Sequence, residues 1–190
     1  MIDDAELRRF ERLALPHLDA AYNLARWLTR NDEDARDVVQ EATLRGMRYF
    51  AAFRGDNARP WLLQVVRHAC FDWMRVNRPA EVASLDNTDD SSREIAGPAA
   101  NEPLSVALRV EERARVNAAL AALPTAYREV LVLRDMEDLP YKDIARIIDA
   151  PVGTVMSRLS RARGQMRSLL AAERPALRAV PSPAPVKGKP

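Results

Sequence analysis

Along most of the chain, apolar side chains return every three or four positions, the spacing of one helical face, and no stretch of strict alternation supports a strand. This pattern predicts helices at 4–14, 16–30, 32–51, 58–77, 105–122, 125–136, 140–148 and 152–171. Several boundaries have a local cause. Pro16, Pro60 and Pro140 suit first-turn positions, where a missing N–H costs nothing, and the run Asn31, Asp32, Glu33, Asp34 suits the positive end of a helix dipole. Between Pro79 and Pro103 the periodicity collapses, and six acids (Glu81, Asp86, Asp89, Asp90, Glu94, Glu102) stand against one base, Arg93. That composition reads as an extended, solvated linker. After Glu173, "RPALRAVPSPAPVKGKP" reads as a disordered proline-rich tail. The expected fold is therefore all-α: one helical domain over 1–78, a flexible acidic linker over 79–104, a second helical domain over 105–172 and a tail over 173–190. About 24 flexible residues reach roughly 25 to 30 Å. Two small domains with so polar a joint are expected to share little interface.

The last helix has two unlike sides. Val152, Val155, Leu159, Ala162, Met166 and Leu169 form its apolar stripe, and Gly153, Ser157, Ser160 and Gly164 lie opposite. Met156, Arg163 and Arg167 flank the bare side on one edge and Arg161 on the other, with Arg158 near the core boundary. A face of glycine and serine lets a helix backbone approach a large partner closely, and flanking arginines can grip phosphates or base edges. The residues before it, "LPYKDIARIIDAPVGTV", read as a short helix with Ile144, Ala145 and Ile148 inward, then a tight turn at Asp149 to Pro151, which makes a helix-turn-helix.

The helix from Ala58 to Asn77 is expected to bury Leu62, Val65, Val66, Ala69, Trp73 and Val76, with Trp61 in the core. Opposite lie Gln64, Arg67, Phe71, Arg75 and Arg78, with His68 at the edge. An aromatic among arginines suits single-stranded nucleic acid, although a lone Phe71 is equally compatible with packing under a loop. Asp37, Gln40, Glu41 and Leu44 form one exposed stripe of the helix from Asp32.

Charge and composition narrow the classes. A net charge of only +2 does not by itself point to a nucleic-acid partner, and a single cysteine, Cys70, excludes an internal disulfide and a cysteine-rich zinc site. No nucleophile–base pair, phosphate-binding loop or metal spacing is present, so neither catalysis nor a cofactor is expected. The charged N-terminal stretch, without an apolar run long enough to span a bilayer, leads to the expectation of a cytoplasmic protein with no membrane insertion.

The stretch "LPTAYREVLVLRDMEDLPYKDIARIIDAPVGTVMSRLSRARGQM" resembles domain four of the extracytoplasmic-function (ECF) sigma factors. "DARDVVQEATLRGMRYF" and "NARPWLLQVVRHACFDWMRVNRP" are similar to domain two of the same family. The resemblance implies a transcription initiation factor that binds core RNA polymerase, at the coiled coil of the largest subunit and at the flap, and that reads promoter DNA. It also implies control by an anti-sigma factor. The polymerase contacts it implies are Asp37, Gln40, Glu41 and Leu44. Those to the −10 element are Asn57, Gln64, Arg67, His68, Phe71, Arg75 and Arg78, with the loop from Phe53 to Ala58 receiving a flipped base. Those to the −35 element are Thr154, Met156, Ser157, Arg158, Ser160, Arg161 and Arg163. His68 and Met156 stand where relatives often carry Asn and Arg. The alternative is a sigma mimic that only titrates an anti-sigma factor; a plain dimeric helix-turn-helix regulator leaves the first half of the chain unused.

Overall fold

The computed structural model describes residues 3–83 and 104–172; the expected tail and most of the expected linker lie outside the described residues. The described segments are helical and contain no strand. The first runs α1 (Asp4–Leu13), a 3-10 turn (Leu15–His17), α2 (Leu18–Thr29), α3 (Asp32–Tyr49), a 3-10 turn (Phe50–Ala52), α4 (Arg59–Asn77) and α5 (Pro79–Ala83). The second runs α6 (Leu104–Ala122), α7 (Thr125–Leu131) with a π-helical continuation (Val132–Met136), α8 (Tyr141–Ile148) and α9 (Val152–Ala172).

Local chemistry accounts for the main boundaries. Asn31 Oδ1 accepts the N–H groups of Glu33 at 2.7 Å and Asp34 at 3.2 Å, and three acids fill the first turn of α3. Arg30 ends α2 in the left-handed conformation, φ 54°. Asp149 ends α8 in the same way, φ 51°, where a short polar side chain is tolerated, and the N–H of Ala150 closes the turn on the Ala145 carbonyl at 3.0 Å. Pro16 and Pro60 occupy first turns as expected, whereas Pro140 stands one residue earlier, as the residue capping α8.

Two elements differ from the pattern. The helix expected over 125–136 widens at Val132, so that Val132 and Leu133 are both buried while Asp135 reaches Arg163 of α9. Pro79–Ala83 has linker composition but forms α5 against α4. Charge holds it there: Glu81 lies 2.6 Å from Arg30, 3.7 Å from Arg78 and 4.0 Å from Arg128.

The larger difference is between the two units. Instead of meeting little, they share one buried cluster, to which the first contributes Leu24, Leu28, Leu62 and Val66 and the second Leu133, Ile144, Ile147 and Leu159. Helix α4 packs against α8 as well as α2 and α3, and α2 packs against α7. A wheel that gives α4 one buried face therefore fails. Leu63, Cys70, Phe71 and Met74 are buried in addition to Leu62, Val66 and Ala69, while Val76, expected inside, is 81% exposed. In α9 the stripe holds at Val155, Leu159 and Ala162, but Val152 at its start is exposed. A second cluster of Phe10, Ala14, Phe50 and Ala58 takes in Trp61, in keeping with its core assignment. Among the described residues, no helix is long and apolar enough to cross a membrane and no group of side chains could hold a metal ion.

Candidate polymerase and nucleic-acid interfaces

Helix α9 presents the face its sequence describes. Met156, Ser157, Ser160 and Arg161 are exposed, and Thr154 is half-buried beneath them. A methyl group added at Gly153 or at Gly164 would meet no atom within 4 Å, so both glycines border open space. Ser157 donates its hydroxyl to the Thr154 carbonyl at 3.0 Å, which leaves its oxygen pointed along a fixed direction. The two remaining arginines are engaged. Arg163 pairs with Asp135 at 2.6 and 3.3 Å, a hydrogen-bonded contact that raises its pKa and braces α9 against the widened turn after α7. Arg158 is half-buried, 3.6 Å from Glu129 of α7.

The candidates on α4 separate into two groups. His68 and Arg75 are exposed, Arg75 pairing with Asp72 at 2.9 Å. Gln64 and Arg67 instead face the second unit, and Phe71 is buried beneath Arg67. Gln64 donates to the Arg146 carbonyl of α8 at 3.1 Å, and Arg67 meets Glu129 at 2.8 and 3.4 Å. Phe71 is 7% exposed beneath the Arg67 guanidinium, 4.3 Å from its ring centroid, which answers the question of that ring in favour of packing in this arrangement. Arg78 lies over Trp73 near Glu81. Asn57 is exposed before α4 and accepts the Arg59 N–H at 3.1 Å.

Glu129 was absent from the candidates because a carboxylate in a short helix reads as a solvated group. The structure buries it completely and surrounds it with Arg67 from the first unit and Arg158 from the second. Two positive partners offset the cost of removing one carboxylate from water. Glu137, also buried, takes Arg59 and Asn23 from the first unit, each at 2.6 Å. Arg128 is fully buried; burial first, and Arg30 second, push its pKa down to about 9, and its donors go to the carbonyls of Ala121 and Leu123 and the hydroxyl of Thr125. It thereby closes the C-terminal end of α6. No periodicity argument marks any of these three.

On α3, Asp37, Gln40 and Glu41 are exposed and Leu44 is 48% exposed. Gln40 and Leu44 border an open groove of about 420 Å³, whose other walls are Leu18, Tyr22, Val39 and Thr43 with the charged Asp19 and Arg36. Arg45 ties Glu41 (2.6 Å) to Asp72 (2.9 Å) across to α4, and both hydrogen bonds raise its pKa. Apolar walls, with Asp19 among them and the exposed carboxylates of Asp37 and Glu41 on the same helix α3, suit an amphipathic, basic helical partner.

The chain matches the family models of sigma-70 region 2 over residues 13–79 and of sigma-70 region 4 over residues 113–166. It is 32% identical over 171 residues to the RNA polymerase sigma-H factor of Pseudomonas aeruginosa, covering 85% of this chain and 86% of that one. It is 33% identical over 162 residues to the ECF RNA polymerase sigma factor SigM of Mycobacterium tuberculosis, covering 85% and 76%. Among solved structures it resembles the sigma factor RpoE in complex with the anti-sigma factor NepR from Bartonella quintana, with a TM-score of 0.63, 26% identity and coverage of 87% and 98%. It also resembles CnrH in complex with the cytosolic domain of CnrY, with a TM-score of 0.62, 26% identity and coverage of 88% and 90%. Each helical unit contains one matched segment, and the chain belongs to the extracytoplasmic-function sigma factors of the sigma-70 family.

Proposed function

We propose that this chain acts in the cytoplasm, binds core RNA polymerase through the α2–α3 groove and the exposed carboxylates of α3, and directs the enzyme to specific promoters. The observation that carries this reading is the open glycine, serine and arginine face of α9, presented by a helix-turn-helix whose apolar side is buried. In the duplex complex Met156, Ser157, Ser160 and Arg161 face the major groove of the −35 element, and Thr154 supports the approach. On the other unit, α4 with the loop before it takes the opened −10 strand, using Asn57, Gln64, Arg67, His68, Phe71, Arg75 and Arg78.

Contacts between the units bear on control. Gln64 and Arg67 are occupied by the second unit and Phe71 lies beneath Arg67, so a strand can reach this stripe only after Arg67 is released. Polymerase, by engaging the two units at separate sites, favours the parted form; an anti-sigma factor that binds the closed form favours the other. One solved relative was captured with an anti-sigma factor and another with the cytosolic domain of CnrY, which supports control by a protein partner. Transcription by core polymerase supplemented with the chain, followed by sequencing of the 5′ ends, tests the reading. Discrete start sites sharing two upstream elements are expected. Binding of core without any selected start site would overturn it and favour a mimic that titrates an inhibitor.

A further inference from the structure

Helix α1 lies outside the main core. Its buried residue, Phe10, belongs to the separate cluster with Phe50 and Ala58, against which Phe53 and Trp61 also pack. These rings form one continuous surface: Phe50 meets Phe10, Phe53 and Trp61 at centroid distances of 5.1 to 5.4 Å, and Phe53 meets Trp61 at 5.4 Å. The loop between Phe53 and Ala58 is draped over it. At Gly55 an added Cβ would sit 2.9 Å from the Phe53 ring, so the backbone crosses that ring at a height that only glycine allows without a shift.

Arg9 of α1 fixes this arrangement. Its Nη1 donates to the Phe53 carbonyl at 3.1 Å and its Nη2 to the Gly55 carbonyl at 3.2 Å. The guanidinium carbon lies 5.0 Å from the Phe50 ring centroid and 5.7 Å from that of Phe53. The planar fork thus holds two carbonyls of one short loop while stacking on the rings below, a combination a lysine cannot reproduce. Arg9 precedes the segment matched by the region 2 family model, which begins at residue 13.

We propose that Arg9 is a positioning residue for reading the −10 element, setting the shape of the Phe53–Ala58 loop and with it the pocket for the flipped base. The inference rests on the promoter-reading function proposed for that loop. A base that leaves its stack is selected by hydrogen bonds to its edge, and donors and acceptors on a six-residue loop keep their places only if the loop backbone does. Arg9 supplies that constraint from outside the loop.

The test uses the full chain with Arg9→Lys and Arg9→Gln. Two readouts are taken: the rate of tryptic cleavage after Arg54 in the free protein, and base preference across a library of −10 elements in holoenzyme. Cleavage should rise and preference at one −10 position should flatten, each by about tenfold or more, the scale of losing one hydrogen bond from a charged group. Preference at the −35 element and affinity for core should stay as in wild type. Unchanged cleavage in both variants would show that the fork does not hold the loop. Faster cleavage with an unaltered −10 preference would show that the held shape does not matter to reading. Either result overturns the inference. Absence of any −10 preference in the wild-type holoenzyme would instead overturn the promoter-reading function on which it rests.

Discussion

Replacing Glu129 with Gln should part the two units without unfolding either. Glu129 is completely buried, and Arg67, 15% exposed, holds it from across the interface at 2.8 Å. Arg158, 24% exposed, approaches the same carboxylate from within the second unit at 3.6 Å. In the Gln variant two guanidiniums remain close to one neutral amide. Removing one partner of a buried pair costs about 3 to 5 kcal/mol when no relief is available. Relief exists here, because parting the units returns Arg67 to water, and both arginines are already partly solvated. A net shift of about 2 kcal/mol toward the parted form is therefore expected, roughly 30-fold in the equilibrium. Glu137 with Arg59, and Glu81 with Arg128, remain to oppose complete opening. Small-angle scattering should record a larger mean separation of the units, and affinity for single-stranded −10 DNA should rise because Gln64 and Arg67 become accessible. A variant as compact as wild type, with unchanged strand affinity, would refute the assignment of Glu129 as the contact that holds the units closed.

Reversing charge at Asp37 and Glu41 together should weaken holoenzyme assembly by about tenfold or more, mainly through association rate, with helicity unchanged; undiminished co-purification with core would count against the α3 surface. Arg161→Ala should cost about 1 to 3 kcal/mol and relax one −35 position if the side chain reads a base, or weaken all duplexes alike and flatten the salt slope if it grips a phosphate. A titration at two salt concentrations separates these, and identity with wild type at both would remove Arg161 from the interface. Burial, followed by the charge of Arg59, holds the pKa of His17 below its ordinary value of 6.5, so the unfolded chain binds the proton more tightly. Its contribution to stability is complete above pH 6.5 and is lost as the pH falls through the lowered value, a loss that His17→Gln should remove from thermal melts recorded between pH 7.5 and 5.

Eight of the nine α-helices among the described residues, the helix-turn-helix and the open side of α9 are legible because each follows from a short-range rule: spacing of apolar residues, a cap at Asn31, a turn at Asp149. Residues that face a second unit obey no such rule. Phe71 and Arg67 share a stripe with exposed Arg75, and nothing in their spacing reveals that the first two are covered and the third is not. Val76 shows the converse, an apolar residue in register with Val66 and Ala69 that stands 81% exposed one residue before the end of α4. The same limit hid Glu129, whose burial depends on two arginines at distances of 62 and 29 residues along the chain. Charge nevertheless left a trace. Arg67 was singled out as a cation for nucleic acid, and the structure gives it an anion to hold in the absence of one. A guanidinium that binds phosphate is equally suited to a carboxylate. On the function proposed above, that equivalence lets the second unit cover Arg67 on the strand-reading face of the first. Access to the promoter then depends on exchanging Glu129 for phosphate at Arg67, a balance that polymerase and DNA tip together.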